Sequence, residues 1–494
     1  MDFLDPRKKR ARRSRLLIGY FLVSVAIILG TVILVYGAYG YGINTKTGDV
    51  VQNGLLFVDS KPGGAQIFLN DKSKNSSTSA RLVLPAGEYK LTLKRDGYRS
   101  WERSFTLTEH AIARYVYPML FPVEPATKTL KTYDQAPALV SQSPDRRWLL
   151  VQTAATATSA FNFDEYDTND LTKPAKPLTV TSRLLSNASG QLKEVEWSSD
   201  NKNLLLEHTF DGGSEFIVYN RDVTAESFNV NKTLKINPTT VALRNKRILQ
   251  LYLFDKTAGS LQVADTARST VTPLLNHVLA FKPHGNNLIS YITDDKAKTG
   301  EVIARIWDTD KSYPLYSFPA GDKYLVDAAQ FQGNWYYAVG SDKAGRVNIY
   351  KNPLDSLQST SIAKAVPMLS LRLAGAERIA FSGNTRIIGV QAGQSFAIYD
   401  LETQYSYHYT LDKPLAGPLH FMDGHRWIGS TGGTVYVSDY DFTNQQILVP
   451  TVLAEGGFFD RDFIHLLTVD KTADGTGFTL EGVDLRAGAD LPKQ

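Results

Sequence analysis

Three hydrophobic rhythms divide the chain. The first is unbroken. Residues 16–36 run for twenty-one positions without a charge and include fourteen Leu, Ile, Val or Phe. At about 1.5 Å per residue, a helix of this length spans roughly 31 Å, close to the ~30 Å hydrocarbon core of a bilayer. The pattern predicts one N-terminal transmembrane helix. Tyr20 and Phe21 near one end, with Tyr36, Tyr39 and Tyr41 near the other, suit the two interfacial belts. A cleavable signal peptide is the rival reading, with Ala38-Tyr39-Gly40 as its cleavage site. Its apolar region spans only about 7–15 residues, shorter than this one.

From Gly54 the rhythm changes to short runs with a period of two. Leu55-Leu56-Phe57-Val58 and Gln66-Ile67-Phe68-Leu69 flank a turn at Pro62-Gly63-Gly64-Ala65. Arg81-Leu82-Val83-Leu84 ends at a second turn, Pro85-Ala86-Gly87, and Tyr89, Leu91 and Leu93 alternate with Lys90, Thr92 and Lys94. Asp96-Gly97 predicts a two-residue hairpin into Trp101–Leu107. These runs predict an all-β sandwich of about seventy residues. The three turns in this order, Pro62-Gly63-Gly64-Ala65, then Gly87, then Gly97-Tyr98, resemble the PEGA domain over residues 54–117, with Gly63 replacing the usual Glu. The resemblance implies a small module of bacterial envelope proteins, usually beside a membrane segment.

Pro118, Pro122 and Pro125 predict a stiff linker. Beyond it comes the third rhythm, a repeat. A strongly apolar strand, a Gly/polar loop and a closing strand recur. The closing pairs are Tyr166-Asp167, Tyr219-Asn220, Ala264-Asp265, Trp307-Asp308, Tyr350-Lys351, Tyr399-Asp400, Ser438-Asp439 and Val483-Asp484, spaced 39 to 53 residues apart. A period near 45 with four strands per unit predicts propeller blades, because one four-stranded sheet cannot bury both of its faces alone. Eight units are legible, or seven if the first pair closes a split blade. Ser143-Pro144-Asp145-Arg146-Arg147-Trp148 resembles the Ser-Pro-Asp-Gly-Lys turn of the irregular WD-repeat-like propellers of bacterial envelopes.

Charge sets the orientation. Residues 7–15 hold seven Lys or Arg, so the first fifteen residues carry a net charge of +5, while the remaining chain carries −1. The positive-inside rule places the tail in the cytoplasm and everything after the helix outside. A near-neutral ectodomain lacks the basic footprint that nucleic-acid binding requires. With no cysteine, the chain has no disulfides, thiolate metal sites or cysteine nucleophiles. The expected organisation is a basic tail over 1–15, a transmembrane segment over 16–42, a stalk over 43–53, a PEGA-like β-sandwich over 54–117, a linker over 118–130 and a β-propeller over 131–494. The fold class is therefore an all-β ectodomain, a PEGA-like sandwich plus a seven- or eight-bladed propeller, behind one transmembrane helix.

Candidate chemistry is sparse. The eight histidines show no zinc spacing. Gly393-Gln394-Ser395-Phe396-Ala397 is one residue short of a nucleophile elbow and lies between strands. Asp470, Thr472, Asp474 and Glu481 fall at positions 1, 3, 5 and 12 of a calcium loop with Gly475 at position 6, and a hairpin on Asp474-Gly475 explains the same residues without metal. The acidic run Asp164-Glu165-Tyr166-Asp167 reads as a solvated loop, and Trp335-Tyr336-Tyr337 as core or ligand-facing aromatics. No catalytic motif or cofactor site is expected. The chain reads as a single-pass envelope protein that binds membrane lipid through its helix and cell-wall glycan or a protein partner through its propeller. An envelope-complex scaffold and a propeller enzyme acting on glycans are the alternatives.

Overall fold

The computed structural model describes residues 6–38, 41–43, 50–155, 161–285, 287–359 and 364–490. Residues 1–5 of the tail, Tyr39-Gly40 of the cleavage motif and residues 44–49 of the expected stalk lie outside that set. The chain divides into two compact units, one of Met1–Glu124 with Ala487–Gln494, the other of Pro125–Arg486.

The first unit opens with a helix at Pro6–Ala38. Among the described residues its stretch Arg15–Tyr36 is the one helix long and apolar enough to cross a membrane. Leu17, Ile33 and Leu34 are about 70% exposed, so nothing among the described residues buries this face. The helix ends earlier than the expected 16–42, because Tyr41–Ile43 already pairs as a strand with Val50–Val58. That second strand also takes up much of the expected 43–53 stalk.

Two four-stranded sheets follow. One joins Tyr41–Ile43, Val50–Val58, Ala80–Pro85 and Ile112–Tyr115, and the other joins Gln66–Leu69, Lys72–Ser77, Gly87–Lys94 and Trp101–Leu107. Alternation places Leu56 and Val58 of the first, and Ile67, Leu91, Leu93 and Trp101 of the second, in the buried interior. Asp96-Gly97 does not make a two-residue hairpin, since the last register pair is Leu93↔Trp101 and a longer turn lies between. Gly97 supplies the positive φ of +80° that this turn needs.

The second unit contains eight four-stranded sheets among the described residues. Seven are consecutive, over 140–180, 191–229, 240–275, 278–319, 324–372, 378–410 and 420–450. The eighth is composite: Phe458–Phe459, His465–Lys471 and Phe478–Asp484 are completed by Thr127–Tyr133 from the beginning of the unit. The expected linker 118–130 therefore ends inside a strand. The expected propeller boundary at 494 also moves, because Ala487 onward belongs with the first unit.

Local chemistry explains the hairpins. Two-residue turns at Asp211-Gly212, Gln332-Gly333, Gly393-Gln394 and Gly432-Gly433 join directly paired residues, such as Phe210↔Gly213 and Thr431↔Thr434. Each turn has a Gly at positive φ, as tight hairpins prefer. The middle strands are apolar on both faces, with Leu204, Leu205 and Leu206 all essentially inaccessible. Those faces are covered by neighbouring sheets. Leu206 and Ile217 pack with Leu150 and Phe163, Leu205 and Val218 with Val241 and Leu253, and Tyr336 and Ala338 with Ile388 and Val390. Leu467, Val469 and Leu480 of the eighth sheet pack with Leu149 and Val151 of the first. The arrangement is propeller-like.

Trp335-Tyr336-Tyr337 lies within this packing, with Tyr336 and Tyr337 buried. Asp164-Glu165-Tyr166-Asp167 is not a solvated loop either. It lies in the strand Phe161–Asp167, where Asp164 pairs with Lys131 at 2.6 Å and Glu165 with Arg221 at 2.5 Å. The basic partners come from distant parts of the chain, which the local pattern does not reveal.

The close approach of the seventh and eighth sheets is testable. A Cβ on Gly456, at φ +82°, falls 2.3 Å from the Gly429 carbonyl oxygen. Gly456→Ala is expected to cost about 2–4 kcal/mol, combining left-handed strain with overpacking. Gly475→Ala, at φ +72° in open space, adds strain alone, about 1 kcal/mol. Urea unfolding of the two variants checks the difference.

Candidate inner-edge site

The first strands of the eight sheets are Val140–Gln142, Gln191–Trp197, Thr240–Arg244, Val278–His284, Tyr324–Phe331, Arg378–Phe381, His420–Phe421 and Phe458–Phe459. Several lie beside the first strand of the neighbouring sheet, so these are the converging inner edges. Converging edges leave little room, and their side chains are correspondingly rich in paired polar groups. Glu196 accepts the Leu243 amide at 2.5 Å and pairs with Lys246. Arg378 donates to Nδ1 of His420 at 3.0 Å.

Removal from water shifts these groups. Glu194 is raised above the ordinary carboxylate range by burial, with Glu455 adding to the rise while Ser141 and Lys246 oppose it. Asp327 is raised by burial against the pull of Lys282, Lys246 and Arg378. His420 is pushed down to about 4 by burial and by Arg378, so at neutral pH its Nδ1 lone pair is free to accept. The result is a belt of mixed charge. A recess of about 310 Å³ opens onto it beside Glu196, Lys246, Phe281 and Lys282, and another of about 530 Å³ beside Lys323, Glu377, Arg378 and Gln394.

Arg146 closes another part of the inner edge. Its guanidinium donates to the Met422 carbonyl and lies 4.5 Å from the Phe463 ring centroid. It occupies φ +63°, the position held by Gly in the Ser-Pro-Asp-Gly-Lys turn, so the backbone accepts strain at a residue that links three sheets.

In the first unit, the turn at residues 62–65 is held by Thr78, which receives the Gly64 and Ala65 amides at 2.9 and 3.0 Å. Gly64 has φ +79°, and a Cβ there would fall 2.8 Å from the Arg95 guanidinium, which would have to shift. Tyr98 is buried, its hydroxyl donating to Asp490 at 3.0 Å and accepting the Ala487 amide at 2.8 Å. Arg95 makes a two-pronged pair with the same Asp490, at 2.6 and 2.5 Å.

Residues 53–116 match the PEGA domain. Within this PEGA domain, Pro62, Gly63, Gly64, Ala65 and Gly87 shape turns, while Gly97 and Tyr98 form the seat for the Ala487–Asp490 segment. No curated protein matches the chain in sequence. Among solved structures, the uncharacterized protein lmo1340 from Listeria monocytogenes EGD-e is 11% identical at TM-score 0.39, covering 67% of this chain and 94% of its own. The dihydro-heme d1 dehydrogenase NirN is 12% identical at TM-score 0.40, covering 64% and 67%. Kluyvelomyces marxianus Hsv2 is 9% identical at TM-score 0.37, covering 70% and 96%. Likenesses this distant carry no argument about chemistry.

The calcium-loop residues lie along a hairpin. Asp470 and Glu481 sit on its two strands, paired with Thr479 and Thr468. The Asp474 carboxylate takes the Thr472 hydroxyl at 2.5 Å and the Thr476 amide and hydroxyl at 3.1 and 2.8 Å, which pulls it down to about 2. Among the described residues no group of three or more His, Asp or Glu is placed to hold a metal ion. Gly393-Gln394 is the hairpin turn noted above, and Ser395 bonds Thr410 at 3.1 Å. The histidines do not converge. His208 is fully buried against Glu215 at 2.9 Å, and His465 is half-buried against Asp460 at 2.9 Å.

Three histidines set an acid limit. Burial first, then neighbouring cations, holds His284 near 3 and His420 near 4, and burial holds His425 near 4 against the pull of Asp423. In the unfolded chain they titrate near 6.5, so the unfolded state binds their protons first as pH falls. Stability is therefore expected to decline from about pH 6.5 toward about pH 4. His420→Gln should flatten that decline relative to the parent, as read by urea unfolding across this range.

Proposed function

We propose that this chain is a single-pass membrane-anchored envelope protein whose eight sheets form the blades of an extracytoplasmic β-propeller that binds cell-wall polymer or a protein partner. The observation that carries the reading is the apolar helix Arg15–Tyr36, none of it buried, immediately after a basic run and ahead of a PEGA domain. An exposed apolar surface of this length needs a bilayer to cover it, and the flanking charge favours a cytoplasmic N-terminus. A scaffold role in an envelope complex fits the same architecture.

The inner-edge belt is the binding surface this reading favours. Lys246, Lys282, Arg378, Glu196 and Asp327 combine donors and acceptors with partly removed solvent, which suits a polar, charge-bearing ligand better than an apolar one. The raised carboxyls Glu194 and Asp327 support a second reading, proton transfer to a bound glycan. The full chain in detergent is expected to retain wall polymer or one envelope protein. Lys282→Glu combined with Arg378→Glu should weaken that retention at least tenfold. Undiminished retention contradicts the belt as the binding surface. Glycan turnover lost in Asp327→Asn favours the second reading.

A further inference from the structure

We infer that the outer face of the first PEGA sheet is a docking surface for anionic lipid headgroups. This rests on the membrane-anchor reading above. Alternation turns Leu55 and Phe57 away from the sandwich interior, while Leu56 and Val58 fill it. The register then builds two cross-strand rows on that outer face. Val83, Leu55 and Ile112 form one, and Arg81, Phe57 and Arg114 form the other. Val83 and Ile112 are 58% and 54% exposed, which is unusual for paired sheet residues with apolar neighbours.

The arginines flank the Phe57 ring, with guanidinium carbons 6.0 and 5.6 Å from its centroid. Both are exposed, and among the described residues neither has a carboxylate partner. The next acid along the strand, Asp59, is engaged by the Ser79 hydroxyl at 2.7 Å and the Ser60 amide at 2.8 Å. The face therefore offers apolar contact and two unneutralised guanidinium forks, the chemistry that recognises a phosphate-bearing interface.

Position selects the occupant. Three residues carry the chain from Ala38 at the helix end to Tyr41, at most about 11 Å. Tyr41 pairs with Gln52, and Leu55 lies three residues further along that strand, about 10 Å. With the strand-to-strand step of about 5 Å between Tyr41 and Gln52, the two rows begin within about 26 Å of the end of the membrane helix, on the sheet to which the helix connects directly.

The absence of native cysteine makes a single-thiol experiment direct. The full chain, with an environment-sensitive label on Val83→Cys or, on the other sheet, Lys72→Cys, is reconstituted into phosphatidylcholine vesicles with or without phosphatidylglycerol. Headgroup-spin-labelled lipid serves as quencher. The expected result is at least twofold stronger quenching at position 83 than at 72 in phosphatidylglycerol vesicles. That difference should fall away in phosphatidylcholine alone and in the exposed-site variant Arg81→Gln/Arg114→Gln. Equal quenching at the two positions, with the chain still floating with the vesicles, overturns the inference and leaves the anchor standing. Thiol cross-linking of two chains through position 83 also overturns it, in favour of a second copy. Failure to float with either lipid removes the anchor and the docking face together.

Discussion

The pairing of Thr127–Tyr133 with Phe478–Asp484 is the constraint on which the larger unit depends. A sheet of four strands has two apolar faces and two edges, and none can be left to water over a long stretch. Seven sheets are made from consecutive strands, and the eighth has only three of its own. The strand from the start of the unit supplies the fourth. The two ends of the unit are then held in one sheet by backbone hydrogen bonds, more than three hundred residues apart in sequence. Side chains reinforce the join, with Tyr133 bonded to Asp164 and Tyr166 of the first sheet at 3.1 and 3.0 Å.

The polar character of the inner edges follows from the same geometry. Where first strands converge, side chains are withdrawn from water but meet groups from neighbouring sheets. Burial raises Asp327 and lowers Arg378, and each is partly restored by opposite charge, Asp327 by Lys282 and Arg378, and Arg378 by Asp327. A group that was simply unpaired would cost more than the packing returns. The belt is thus tolerated because charges from separate sheets neutralise one another.

Much of the fold was legible because its signals are local. All eight closing pairs, from Tyr166-Asp167 to Val483-Asp484, end the third strand of a sheet. Apolar runs such as Leu204-Leu205-Leu206 mark strands covered on both faces. The parts that escaped depend on distant partners. Thr127–Tyr133 has an ordinary alternating pattern and sits in a proline-flanked stretch, so nothing local shows that its partner strand is at the other end of the unit. Asp164 and Glu165 look solvated until Lys131 and Arg221 are brought to them. Tyr98 reads as a turn residue, and its role as a seat for Asp490 depends on a contact across almost four hundred residues. The inner-edge site is the extreme case, since its charged residues are drawn from several different sheets.

The most direct measurement uses paired cysteines at Thr132 and Thr479, which face one another in the composite sheet. A membrane-impermeant thiol-bridging reagent is added to intact spheroplasts expressing the double variant. The account predicts a bridged chain under those conditions, with neither single cysteine giving one. Bridging only after lysis would contradict an extracytoplasmic propeller. No bridging even after lysis would contradict closure through the N-terminal strand.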